Sequence, residues 1–60
     1  MKIKVKMYNT WVEYKNKKEA EDSMLDNMMN SDGAEQARYT YAYLGIKSGR
    51  KVIDTDDEDY

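Results

Sequence analysis

The chain has no cysteine, no histidine, no proline and no phenylalanine, and it has a single tryptophan. Without cysteine there is no disulfide and no thiolate metal site. Without histidine there is no imidazole ligand and no imidazole proton carrier near neutral pH. Ser23, Ser31 and Ser48 therefore lack the base that usually activates a hydroxyl. Gly33, Gly45 and Gly49 are too scattered to form a phosphate-cradling loop. The carboxylates fall at helix starts or on solvent faces, where capping explains them. These absences point to a protein that is not an enzyme and that uses neither a metal nor a cofactor. No apolar run approaches the ~20 residues that span a bilayer, and Met1-Lys2-Ile3-Lys4-Val5-Lys6 has no apolar stretch behind its charges. A cytoplasmic protein with no membrane partner is the expectation.

Sixty residues make one small domain. A core of this size rarely supplies more than about 3–5 kcal/mol, and small folds are usually stapled by a disulfide, a metal or a second subunit. With the first two set aside, a homodimer is the expected arrangement.

The net charge of −2 hides an uneven distribution. Residues 1–18 carry six lysines against Glu13, a balance of +5, and residues 1–53 carry ten basic and seven acidic groups. Five acids, Asp54, Asp56, Asp57, Glu58 and Asp59, fall in the last seven residues. A basic front and an acidic end suggest either a polyanion partner or a tail that shields the basic part from one.

Lys2-Ile3-Lys4-Val5-Lys6-Met7 alternates charged and apolar, the period of a half-buried strand with Ile3, Val5 and Met7 facing inward. Tyr8-Asn9-Thr10 can turn, because Asn tolerates left-handed backbone geometry. Trp11-Val12-Glu13-Tyr14 should return as a second strand. Asn16 with Glu19 is a capping box opening a helix over about 17–29, whose apolar residues Ala20, Met24, Leu25, Met28 and Met29 fill one half. At helical spacing in a small protein the methionines read as core filling. Asn30 to Gly33 breaks the pattern. Asp32 with Glu35 opens a second helix that should end near Lys47, with Gly49 as its left-handed cap.

The second helix carries two apolar stripes. Ala34, Ala37, Tyr41 and Leu44 form one; Tyr39, Ala42, Tyr43 and Ile46 form the other. A surface helix needs only one. The first stripe is assigned to the core, which leaves Tyr39, Tyr43 and Ile46 as the expected partner interface. Gly45 inside this helix costs about 1 kcal/mol relative to Ala and so suggests the close approach of another element. Arg50 to Ile53 could add a short third strand. The fold class that follows is α+β: a β-β-α-α domain over residues 1–53, an N-terminal hairpin packed on two antiparallel helices, and an acidic disordered tail over 54–60.

The order strand, helix, helix behind an alternating N-terminal strand resembles that of the ribbon-helix-helix DNA-binding dimers. The resemblance implies contact with DNA through the first strand. It is broken by Trp11 to Tyr14, which read as a second strand, and three lysines alone favour backbone contact over base readout. Lysines on an exposed strand also block edge-to-edge aggregation, the simpler account of them.

The functional expectation is a small non-enzymatic protein-interaction module, a homodimer, of the accessory kind found in bacteria or mobile elements. One alternative is a nucleic-acid-binding regulator using Lys2, Lys4, Lys6, Lys15, Lys17 and Lys18. Another is an inhibitor whose acidic tail binds a basic protein.

Overall fold

The structure, a computed structural model, describes residues 2–56. Strands β1 (Ile3–Met7) and β2 (Thr10–Tyr14) precede helices α1 (Lys17–Met29) and α2 (Gly33–Lys47), and a short strand β3 (Val52–Asp54) follows. The sheet order is β2-β1-β3. The α+β class and the β-β-α-α order therefore hold, and the third strand is real.

The hairpin is antiparallel, with Val5 opposite Val12 and Met7 opposite Thr10. Its two-residue turn places both Tyr8 (φ 52°) and Asn9 (φ 64°) in the left-handed region. That is what a tight turn joining right-twisted strands demands. Strand β3 runs parallel to β1 on its other edge, with Val5 opposite Ile53. The N–H of Lys4 donates to the carbonyl of Lys51 (2.8 Å), and the N–H of Thr55 donates to the carbonyl of Lys6 (3.0 Å). The lysine-rich strand is thus the centre of the sheet, not an edge.

Both helices lie on one face of the sheet. The core contains Ile3, Val5, Ala20, Met24, Ala42, Ile46 and Ile53, with Met7, Tyr14, Tyr39 and Tyr43 packed around it. Asn16 caps α1 as expected, its side chain accepting the Glu19 N–H at 2.8 Å. Asp32 makes no side-chain cap bond to α2; instead the Ser31 hydroxyl donates to Glu35 at 3.1 Å. On α1, Met24 is buried, but Leu25 and Met29 are exposed, so the core-facing stripe is narrower than the sequence suggests. Gly45 has the expected role. A Cβ there would lie 3.1 Å from Ile53 Cδ1, so the bare backbone is what lets β3 sit against α2.

Two expectations need correction. The acidic tail is expected over 54–60, yet Asp54 closes β3 and Thr55 is buried, its hydroxyl donating to the Lys6 carbonyl at 2.6 Å. The fold extends through Asp56 because this segment satisfies the backbone of β1 and of the hairpin turn. The rest of the expected tail, 57–60, lies outside the described residues. The second correction concerns α2. Ala42 and Ile46 are fully buried, whereas Tyr41 is 41% and Leu44 58% exposed. The stripe containing Ile46 faces the sheet, and the stripe assigned to the core faces outward.

Candidate interaction surfaces

Residues directly opposite each other in a sheet share a face. Lys6 lies opposite Trp11 and Asp54, and Lys4 opposite Glu13 and Val52. The face away from the helices therefore combines the lysine row of β1, one aromatic residue, one aliphatic residue and two carboxylates. Trp11 is half-exposed, and Val52 is more so. Lys4, Trp11, Val12, Glu13 and Val52 line a shallow groove of about 540 Å³. Lys2 Nζ is 3.9 Å from Glu13 Oε1, with both groups solvated, so that pair contributes at most about 1 kcal/mol. A sheet covered by helices on one side only normally presents polar residues to water on the other. Exposed Trp11 and Val52 depart from that pattern.

Of the six lysines grouped as a nucleic-acid contact, Lys2, Lys4 and Lys6 come together on this face. Lys17 and Lys18 do not join them. They open α1 in the helical layer, Lys17 donating to the Lys47 carbonyl (3.3 Å) and pairing with Glu21 (4.0 Å), and Lys18 pairing with Asp22 (3.6 Å). Lys15 sits exposed between β2 and α1. Glu13 and Asp54 place negative charge within the lysine row itself, which weakens its appeal to a polyanion.

The grouping of Tyr39, Tyr43 and Ile46 as a partner interface does not survive. Ile46 has no exposed surface, and Tyr39 and Tyr43 pack against the core. Burial pushes the Tyr39 phenol above its ordinary pKa, with the Glu35 carboxylate adding to the shift. The outward flank of α2 is instead Ala34, Ala37, Tyr41 and Leu44, all exposed. Arg50 Nη1 donates to the Tyr41 hydroxyl at 3.3 Å.

A third cluster went unread in the sequence. The Asp56 carboxylate accepts the N–H of Tyr8 (2.9 Å) and of Asn9 (2.6 Å), and Arg38 Nη1 donates to it at 2.7 Å. The Arg38 guanidinium also lies 4.6 Å above the Tyr8 ring and donates to the Thr55 carbonyl (3.1 Å). The Asn9 N–H bond contributes most to holding the Asp56 carboxyl below its ordinary pKa; the Tyr8 N–H bond and the positive charges of Arg38 and Lys6 act in the same direction. Two left-handed residues leave two N–H groups pointing one way, and the carboxylate completes them. The cluster ties the end of the fold to the hairpin turn and to α2. No local pattern announces a pair so far apart in the chain.

A recess of about 130 Å³ lies under β2 among Val5, Met7, Val12, Tyr14, Met24, Asn27 and Tyr39. The serine hydroxyls have structural partners: Ser23 with the Tyr14 hydroxyl, Ser31 with Glu35, and Ser48 with the Gly45 carbonyl. Among the described residues, no three acidic side chains gather as metal ligands, and no helix is long and apolar enough to cross a membrane. Comparison with protein families, with curated proteins and with solved structures finds no match.

Proposed function

We propose that this protein is a non-enzymatic interaction module whose protein partner docks on the uncovered face of the sheet. One observation carries the reading: the helices cover only one side, leaving Trp11 and Val52 beside a groove on the other. Tryptophan is among the residues most enriched as interface anchors. Here Trp11 on β2 and Val52 on β3 stand either side of the lysine row of β1, with Glu13 beside it. The absence of cysteine and histidine and the structural bonding of the serines support a binding role over chemistry.

Trp11 is the only tryptophan, so its fluorescence reports on this face directly. The test is capture of a partner from the host by the immobilised chain, repeated with Trp11→Ala and with Val52→Lys. Both substitutions lie on exposed positions and should leave the circular dichroism unchanged. The captured partner should be lost with each, and its addition to the free chain should shift Trp11 emission. A partner retained by both variants would place docking elsewhere.

The lysine row of β1 is the one observation favouring a nucleic acid on the same face. Titration with duplex and single-stranded DNA at low salt separates the readings. A salt-dependent change in Trp11 emission, abolished by changing Lys2, Lys4 and Lys6 to Glu, would replace the protein partner with a polyanion. The acidic-tail reading has less support, because Asp56 is engaged by Arg38 and the hairpin turn.

A further inference from the structure

We propose that two copies of this chain pair through the outer flank of α2, antiparallel about a two-fold axis. The surface is distinct from the sheet face, so the inference stands apart from the docking reading above.

Two features of the flank select a second copy as its occupant, and a third sets the strength of the pairing. The first is its graded shape. Ala34 and Ala37 lie toward the start of α2, Tyr41 and Leu44 toward its end, and all four are exposed. From Ala34 to Leu44 is about 15 Å along the axis at ~1.5 Å per residue. A two-fold antiparallel pairing lays the bulky end of one stripe on the small end of the other. Parallel pairing would set Tyr41 against Tyr41 and leave the alanines facing a gap. A two-fold contact must be self-complementary, and this stripe is so in one orientation only.

Charge supplies the second feature. The stripe itself has no charged side chain. Exposed Asp32 precedes its start, and exposed Arg50, which donates to the Tyr41 hydroxyl, lies at its end. Antiparallel pairing brings the acidic start of one copy beside the basic end of the other, and it also opposes the two helix dipoles. Arg38, the one basic residue in the first half of α2, is engaged with Asp56 and does not disturb the pattern.

The third feature is area. One helix stripe of this length buries a few hundred Å² per pair, short of the ~1,200 Å² at which stable interfaces begin. The dimer is therefore weak, with a dissociation constant on the order of 100 µM.

Sedimentation equilibrium of the full chain between about 10 µM and 1 mM tests the proposal. The average mass should rise from 7.1 kDa toward twice that value. Leu44→Lys, on an exposed position, should raise the dissociation constant at least tenfold with unchanged circular dichroism. The orientation has its own test. Asp32→Lys alone and Arg50→Glu alone should each weaken pairing, because each sets like charges together at both ends. An equimolar mixture of the two variants should associate again, since opposite charges then meet at both ends. A chain that stays at 7.1 kDa throughout, a dimer indifferent to Leu44→Lys, or a mixture no better than its components would each overturn the proposal.

Discussion

Which side of α2 faces the sheet is the structural point on which the pairing proposal rests, and it can be tested by truncating one residue from each stripe. Ile46 is fully buried and Leu44 mostly exposed, yet they lie two positions apart on one helix. Ile46→Ala removes three carbons. At about 0.8 kcal/mol per buried carbon, the transfer loss is roughly 2.4 kcal/mol. A rigid surround adds a cavity penalty, and measured losses for such truncations span about 2–5 kcal/mol. Ile46 packs within the small cluster formed by Val5, Ala42 and Ile53, so a loss near 3 kcal/mol is expected. A core this small supplies only about 3–5 kcal/mol. The variant should therefore sit close to its unfolding threshold at room temperature.

Leu44→Ala should change stability by no more than about 0.5 kcal/mol, as for an exposed site. Alanine is also a slightly better helix former than leucine. For a chain this short, 1 kcal/mol moves the melting temperature by about 4–8 °C. Thermal melts followed by far-ultraviolet circular dichroism should show Ile46→Ala lowered by 10 °C or more and Leu44→Ala within a few degrees of the parent. The melts belong at low protein concentration, about 5 µM, so that weak pairing adds nothing. If Leu44→Ala proved the more damaging of the two, α2 would present the opposite stripe to the sheet, and the flank proposed for pairing would be core.

Two further perturbations probe the contacts that hold β3. Gly45→Ala gains about 1 kcal/mol in helix propensity but drives a methyl group into fully buried Ile53, and overpacking costs about 1–3 kcal/mol. A net loss on the order of 1 kcal/mol is expected, and it should turn into a gain in an Ile53→Val background, where the clashing Cδ1 is gone; stabilisation in both backgrounds, read by urea denaturation, would mean that the approach is loose. Asp56→Asn addresses the carboxylate at the hairpin turn. Because the folded-state pKa is depressed, its contribution is present above the ordinary carboxylate pKa of about 4 and is lost as pH falls through the lower folded value. Melting temperatures from neutral to acid pH should therefore show the variant below the parent at pH 7 and the two converging in acid. A constant gap would assign the loss to packing, not to charge.

Much of the fold is written locally. Alternation across Lys2 to Met7 fixes which face of β1 is wet, because a strand repeats every two residues and a one-residue slip would bury three lysines. Asn16 marks the start of α1 because its side chain accepts the Glu19 N–H. Gly45 signals a close approach, and Ile53 is what approaches. These signals share one property: the residue and the group that satisfies it lie within a turn of each other, or the residue's own chemistry is unusual for its place.

The faces of α2 and the role of Asp56 lack that property, and they are where local reading fails. Each stripe of α2 holds alanine, tyrosine and one branched aliphatic, so apolar content cannot choose between them. The choice is made by partners far away in sequence. Ile53 needs the bare backbone of Gly45, and Arg38 needs Asp56, which in turn needs the left-handed N–H groups of Tyr8 and Asn9. Together these contacts draw Ala42 and Ile46 against the sheet and turn Tyr41 and Leu44 outward. The sequence reads two apolar stripes and the structure buries the one expected outward. That reversal carries a consequence for function. The stripe expected outward, with Tyr39, Ala42, Tyr43 and Ile46, has large residues at both ends and no gradient for a two-fold mate to match. The stripe that is outward grades from Ala34 to Leu44, and that gradient makes an antiparallel second copy a specific expectation instead of a general need for cover.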